Sequence, residues 1–400
     1  MIRSGSICLS LLYNYLTSES LEDDEFENKH TALSTISKTF SNYGGILSKI
    51  SQIIAYGEGN SSSSIFSDCK PFNSENTSLF FDNEMKNNIL FNDVLSYEKN
   101  VYKSGSIGQV HKGIMKINDI NTNVAFKVQY TKLKEQCEDD IKILDGIIHF
   151  LYTGNNFSHA VNDIKRKIND ELNYKQEIYN MDIFFNLWKD NSNILIPKVF
   201  SSKSTDKIIC MEFIHGISLN DFINNSTDHE RNKYGMLIAE FVFTSLFRDK
   251  LFYSDIHYGN FLIKGDKLCV MDFGCINVID DVLSKQLKRL YYSIYYDNEE
   301  DFYSILFEMQ ILNDKVSTKS RDYAWTYFKQ QLAPWIINDF TFTKEWLTNT
   351  THKDFTLLNE WNLPQNIVYL NKINFGLIHI LQKMQVSGNF TQIFKKLSII

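Results

Sequence analysis

The stretch Ser254-Asp-Ile-His-Tyr-Gly-Asn260, followed by Asp272-Phe-Gly274, decides how this chain is read. The spacing from Asp255 to Asn260 is that of a phosphoryl-transfer catalytic loop. There the aspartate takes the acceptor's proton and the asparagine holds a metal ion. Asp272, at the end of an apolar run Leu268–Met271, stands where such a site places its principal magnesium ligand, and magnesium is satisfied by few protein carboxylates when phosphate oxygens complete its shell.

Working outward toward the N-terminus, Val124-Ala-Phe-Lys127 matches the Val-Ala-x-Lys of a kinase's third strand, with Lys127 expected on the α/β-phosphates. One strand earlier lies Lys103-Ser-Gly-Ser-Ile-Gly-Gln-Val110. Gly105 and Gly108 take the second and third glycine positions of a phosphate-covering loop, Lys103 stands in the first, and Ser106 and Val110 complete it. Glu171 and Glu177 in the segment Glu171-Leu-Asn-Tyr-Lys-Gln-Glu177 are candidates for the helix glutamate that holds Lys127. Taken singly, these pieces read as a hairpin turn, an exposed strand-end lysine and a solvated helix face. All of them in kinase order, each on the expected element, point to a kinase fold able to bind ATP and Mg2+.

Composition bounds the rest. Net charge of −7 argues against generalised binding to nucleic acid or to an anionic membrane. Six cysteines without a Cys-x-x-Cys pair suit thiols in a reducing compartment, and Cys269 and Cys275 read as core. No apolar run approaches the ~18 residues that span a bilayer, and Met236–Phe247 and Ile373–Leu381 read as short buried helices. The N-terminus lacks a signal-peptide cleavage site, and its acidic run Glu22–Glu27 does not suit a transit peptide. The expectation is a soluble, cytoplasmic chain with no transmembrane segment. Peripheral membrane contact by amphipathic N-terminal helices stays open.

The fold class expected is α+β, a bilobal protein-kinase-like fold with a helical N-terminal extension. Residues 1–95 form that extension, 96–216 the strand-rich first lobe and 217–400 the helical second lobe. A Ser/Gly-rich loop at Gly57–Ser64 interrupts the extension, polar spacing continues to about Ser78, and helices are expected over Thr31–Tyr56 and Glu84–Leu95. Strands are expected over Val101–Ile117, Asn123–Tyr130, Ile194–Ser201, Lys207–Phe213, Phe261–Ile263 and Leu268–Met271. Helices are expected over Lys132–Tyr152, Asp163–Lys189, Leu219–Ile223 and His229–Leu251, and then almost throughout. Trp325, Tyr327, Phe328 and Trp335 read as core.

Two features separate the chain from ordinary protein kinases. Tyr253-Ser254 stands where His-Arg is expected, and only a few residues separate Gly274 from the helix around Asp281–Tyr295, with no Ala-Pro-Glu. The chain instead resembles the UbiB/ADCK group of atypical kinases. The resemblance rests on Ser-Ile-Gly-Gln-Val-His (106–111), Val-Ala-Phe-Lys-Val-Gln-Tyr (124–130), Glu-Leu-Asn-Tyr with Glu177 and Asn180, Met-Glu-Phe-Ile-His-Gly (211–216) and Asp-Ile-His-Tyr-Gly-Asn (255–260).

The resemblance implies ATP binding and hydrolysis, linked to isoprenoid-quinone or related lipid metabolism, with a lipid or protein acceptor that it does not identify. It implies nucleotide contacts from Met211, Glu212 and Phe213, and places His257 where ordinary kinases have a lysine beside the transferred phosphate. It also implies a gating role for Lys49 and Gln52 of Lys49-Ile-Ser-Gln52, together with Glu171. Three positions depart from the group's pattern: Ser51 replaces a glycine, Asn173 an aspartate, and Gly105 an alanine. Gly105 moves the loop toward the ordinary kinase form, which keeps a protein kinase, autophosphorylating or acting on other proteins, as an alternative. A nucleotide-gated scaffold and a small-molecule phosphotransferase are further alternatives.

Overall fold

The structure, a computed structural model, describes residues 74–140, 142, 169–170, 172–351, 355–358, 360–362 and 376–400. The described parts fall into two compact units, one within Met1–Leu187 and Pro197–Ile214, the other within Trp188–Ile196 and His215–Ile400. In chain order the first elements are α1 (Ser74–Asn87), β1 (Val94–Tyr97), β2 (Lys103–Ser104), β3 (Gly108–Ile117), β4 (Ile120–Gln129), α2 (Tyr174–Trp188), β5 (Ile194–Leu195) and β6 (Ile208–Glu212). There follow β7 (Ile217–Ser218), α3 (Leu219–Asn225), α4 (Asp228–Phe247), β8 (Leu251–Tyr253), β9 (Phe261–Lys264), β10 (Lys267–Val270), β11 (Ile276–Val278), α5 (Asp281–Tyr295), α6 (Glu299–Glu308) and α7 (Thr318–Ile336). The expected helices over Thr31–Tyr56 and most of Lys132–Tyr152 lie outside the described residues; residues 133–140 of the latter are helical.

In the first unit, β1, β3, β4 and β6 form an antiparallel sheet in that order, and β2 pairs with the start of β3. The β3–β4 hairpin turns on Asn118 and Asp119, both at positive φ (49° and 63°), the conformation that two-residue hairpin turns require and these residue types tolerate. One face of the sheet buries Met115, Val124, Phe126, Val128, Ile208 and Cys210 against Phe81 and Met85 of α1 and Phe91. Each large apolar side chain removed from water in this way is worth ~1.5–3 kcal/mol.

The segment expected as one helix over Glu84–Leu95 is three pieces: the end of α1, a 3-10 turn at Ile89–Phe91, and β1. Asn88 causes the break, because its side chain accepts from Leu90 N at 3.1 Å and competes with helical continuation. The polar residues Ser74–Ser78 belong to α1, where Ser74 and Ser78 bond to the sheet. Trp188–Ile196 groups with the second unit, because β5 pairs in parallel with β10.

In the second unit, a small sheet in the order β5-β10-β9-β7 is accompanied by helices, and β8 pairs with β11. Helix α4 begins at a capping box, with Thr227 and Glu230 satisfying each other's backbone N–H, and its apolar half from Leu237 to Phe247 is buried. It stops short of the expected Leu251 because Lys250 adopts positive φ (56°), so that Leu251–Tyr253 leaves as a strand. Trp335, Tyr327 and Phe328 are buried, whereas Trp325 is half-exposed. Cys137, Cys210 and Cys269 are buried free thiols, and Cys275 is half-buried. Among the described residues, no helix is long and apolar enough to cross a membrane.

Candidate active site

In the first unit the glycine loop is a tight hairpin end. Gly105 N donates to Gly108 O at 2.8 Å, Tyr130 N donates to Ile107 O, and the Tyr130 hydroxyl donates to Gly105 O at 3.2 Å. The two glycines differ. A Cβ on Gly108 would lie 2.6 Å from Val128 O and 2.7 Å from the Tyr174 hydroxyl, so only glycine fits there. A Cβ on Gly105 would meet nothing closer than Gly108 O at 3.5 Å, an ordinary contact. Lys103 pairs with Val110 across β2–β3, and Ser106 is half-buried in the turn.

Lys127 sits on β4 beside α2, and its Nζ donates to Glu177 Oε1 at 2.6 Å. The pair is nearly withdrawn from water, with side chains 15% and 2% exposed, and Lys127 Nζ lies 5.4 Å from the centre of the Tyr174 ring. At the end of β6, Glu212 N donates to Lys198 O, Phe213 N donates to Asn123 O, and Met211 bridges to Val199. Tyr102 packs edge-on against Phe213, and Lys112 Nζ stands 4.0 Å from the Tyr102 ring. Lys49, Gln52 and Glu171 lie outside the described residues.

The Gln109 and His111 side chains build a second layer behind the loop. Gln109 Oε1 accepts from Ser74 Oγ at 2.7 Å, and its Nε2 donates to Ser78 Oγ and to His111 Nε2, each at 2.9 Å. His111 Nδ1 faces the Glu98 carbonyl at 3.0 Å. A carbonyl can only accept, so Nδ1 carries the proton and Nε2 accepts from the amide. The ring is fully buried and stacked on Phe81 at 4.3 Å, and burial holds its pKa below the usual histidine value.

In the second unit the catalytic-loop residues are tied together by their own backbone. Asn260 Nδ2 donates to Asp255 O at 2.9 Å and to Asp255 Oδ2 at 3.3 Å. His257 caps the Tyr258–Asn260 turn, its Nδ1 accepting from Gly259 N at 3.0 Å, and a Cβ on Gly259 would lie 2.9 Å from that same nitrogen. Met271 N donates to Asn260 O at 2.9 Å, which fastens the loop to the residue before Asp272, while Asp272 Oδ1 accepts from Gly274 N at 3.0 Å.

Tyr253 and Ser254, in the place of His-Arg, have a direct structural use. The Tyr253 hydroxyl donates to Asp272 O at 2.8 Å, and Ser254 donates through both N and Oγ to Cys275 O. Burial first, then the Asp272 and Asp255 carboxylates, raise the Tyr253 phenol well above its usual range. The substitution is visible in the sequence, but this use of it is not. Tyr130, Tyr174 and the Gln109–His111 pair were likewise not placed, since only register and burial show them.

The donor chemistry suits magnesium. With its amide nitrogen committed to Asp255, Asn260 has its side-chain oxygen to offer a cation, and Asp272 supplies a carboxylate. Among the described residues no three His, Cys, Asp or Glu side chains form a closed metal cage.

An antiparallel sheet with a helix salt-bridged to its lysine, together with a helical unit carrying the Asp–Asn loop and Asp-Phe-Gly, defines a kinase-like protein of mixed helices and sheets. The chain belongs to the ABC1 atypical kinase-like domain family, which matches residues 64–306. It is 27% identical over 304 residues to an uncharacterised protein of the hydrogenase 1 5′ region of Clostridium pasteurianum, covering 74% of this chain and 56% of that one. It is 25% identical over 231 residues to the mitochondrial atypical kinase COQ8 of Schizosaccharomyces pombe, covering 56% of this chain and 37% of that protein. The chain thus spans about half or less of the length of these curated relatives. A Mycobacterium tuberculosis protein solved with erythromycin shares the fold at a TM-score of 0.69 and 21% identity, over 93% of this chain and 97% of that one.

Proposed function

We propose that this chain binds ATP with magnesium and transfers or hydrolyses the terminal phosphoryl group, as an atypical kinase or ATPase. The observation that carries the reading is the 2.6 Å Lys127–Glu177 pair. Withdrawing two charges from water costs most of what their attraction returns, so such a pair is weak evidence of a stabilising device and good evidence of a functional one. Glu177 holds the lysine extended, and the lysine anchors phosphate oxygens. Gly105, Ser106, Gly108 and Val110 supply the backbone that approaches the phosphates, beside Lys103. Met211, Glu212 and Phe213 border the nucleotide, and His257 stands beside the phosphate that moves.

Asp255 takes the proton of the attacking hydroxyl or water, held for that purpose by Asn260. Asn260 and Asp272 are the magnesium ligands, and magnesium, when bound, neutralises charge on the phosphate oxygens. Following the family resemblance, the reaction is linked to isoprenoid-quinone or related lipid metabolism, with a lipid or protein acceptor.

Transfer to protein is a second reading, favoured by Gly105. The backbone there leaves room for a methyl group, so the glycine is not a steric requirement and opens the loop as in ordinary kinases.

The test is thermal unfolding of the purified chain with and without ATP and magnesium, beside Asp272→Asn. Ligand at 100 times its dissociation constant adds ~2.7 kcal/mol. A shift in wild type that Asp272→Asn lacks supports the reading. Absence of any shift in the wild type overturns it in favour of a scaffold.

A further inference from the structure

Beyond the nucleotide residues, the catalytic loop has a second neighbour, residues 376–383, which are helical and lie outside the stretch matched by the family. Their approach is close. A Cβ on Gly376 would lie 2.9 Å from Ile256 O and 3.1 Å from the Ile256 side chain, so this helix packs backbone-first on the residue after Asp255. Two cationic or titratable side chains one turn apart on it, His379 and Lys383, face Tyr258 of the loop. The Lys383 Nζ stands 4.2 Å from the Tyr258 ring centre, and the His379 ring lies 6.4 Å from it. The His257 ring lies 4.5 Å away on the loop itself.

The electrostatics of this group are one-sided. Lys383 donates to Asn220 Oδ1 at 2.9 Å, and its other neighbour is the Tyr258 ring, so both contacts are neutral. Among the described residues it makes no ion pair, although it is half-buried. Burial alone moves its pKa down, and His379 is lowered by burial and then by the Lys383 charge, with no acid opposing either. Tyr258 is only 7% exposed, and its hydroxyl is buried with no hydrogen-bond partner among the described residues. Half-buried charge without a counter-ion and a buried hydroxyl without a partner are both unfavourable, and an oxyanion bound at this group would relieve them.

We propose that Lys383, His379 and Tyr258 form an oxyanion site that receives a phosphate or carboxylate group of the phosphoryl acceptor. The site rests on the kinase reading for its meaning, since it stands beside the Asp255 loop, next to His257. Lysine supplies the point charge, and the imidazole and phenol supply directed donors. The acceptor is therefore an anionic molecule, either water-soluble or a lipid with an anionic headgroup.

The experiment is a titration of the full chain with inorganic phosphate, followed by 31P line broadening, in wild type, Lys383→Met, Lys383→Arg and Tyr258→Phe. The titrations are repeated in the Asp272→Asn background, so that failure of the magnesium–nucleotide reading and failure of this site give separate results. Lys383→Met should weaken phosphate binding about tenfold or more, the value of one charge-assisted hydrogen bond, and Lys383→Arg should retain most of it. Tyr258→Phe should weaken it by a smaller factor. A second arm uses glycerol phosphate against phosphatidylcholine vesicles with and without phosphatidic acid. Lys383-dependent binding of either phosphate ester supports the site, and the tighter one identifies the source. Lys383→Met that lowers the melting temperature but binds phosphate like wild type overturns the proposal and makes the Lys383–Tyr258 contact structural. Wild type that binds no phosphate overturns it as well.

Discussion

The Tyr253 hydroxyl donates to the backbone carbonyl of Asp272 at 2.8 Å, joining the strand that enters the catalytic loop to the residue assigned to the metal. Tyr253 is 1% exposed, so the bond is dry. Tyr253→Phe removes the donor, leaves a carbonyl short of its partner, and should lower stability by ~1–3 kcal/mol. Because Asp272 then loses a backbone anchor, turnover should fall more than ATP affinity. Steady-state kinetics beside a denaturant melt will check both, and an unchanged turnover would show that Asp272 needs no such anchor.

Asp255→Asn keeps the shape of the loop and the hydrogen bond from Asn260. It should bind magnesium–ATP like wild type and turn over ~10²–10⁴-fold more slowly, the usual contribution of a general base. Equal turnover in the two proteins removes Asp255 from the base role.

The Lys127–Glu177 pair predicts asymmetry between single and double variants. Lys127→Met leaves a carboxylate only 2% exposed without its cation and should destabilise the protein by ~3–5 kcal/mol. Lys127→Met/Glu177→Leu removes both charges and should recover most of that loss. Neither variant should support turnover, and urea unfolding separates the stability effect from the activity effect.

The two loop glycines should respond oppositely to one methyl group. Gly108→Ala places a Cβ within 2.7 Å of both Val128 O and the Tyr174 hydroxyl and should destabilise the first unit strongly. Gly105→Ala has room for its methyl group and should stay within ~0.5 kcal/mol of wild type. Any change it makes in the ratio of ATP hydrolysis to protein labelling reports on the loop's chemistry rather than on folding.

His111 predicts an acid sensitivity with a defined sign. Its folded pKa is lowered below the ordinary ~6.5, because burial disfavours the imidazolium. Above that value the ring is neutral whether folded or unfolded. As pH falls below it, the unfolded chain takes up a proton that the folded ring resists, so stability declines until the folded pKa is reached. Protonation also places an N–H on Nε2 opposite the Gln109 amide nitrogen, which already donates there. Melting temperature should fall as the pH drops below the ordinary histidine value of ~6.5, and His111→Asn should flatten that part of the profile.

Much of the fold was legible because its signals are local. The alternation in Gly108–Ile117, the Asp-Phe-Gly run and the spacing from Asp255 to Asn260 can be read without knowing what packs on them. The misread segments are those where one side chain overrides periodicity. Asn88 ends α1 by turning its side chain onto Leu90 N, and the positive φ of Lys250 converts an expected helix end into β8. Glu177, at the start of α2, could be named with Glu171 as a candidate partner of Lys127, because kinase order calls for a helix glutamate there, and the structure pairs it with the lysine. The Gln109–His111–Ser78 chain could not, because it joins residues about thirty positions apart through a register that sequence does not display.

The short connection after Asp-Phe-Gly has a consequence for control. Ile276, Asn277 and Val278 pair with Tyr253, Phe252 and Leu251, and Asp280 already caps α5. Backbone held in a ladder on one side and a helix start on the other has no slack to swing away and return. Modification of a flexible latch, by which many phosphotransferases are turned on, therefore has no purchase on this segment. Control by ordering and disordering the chain directly after Asp-Phe-Gly is thereby closed off over residues 276–280.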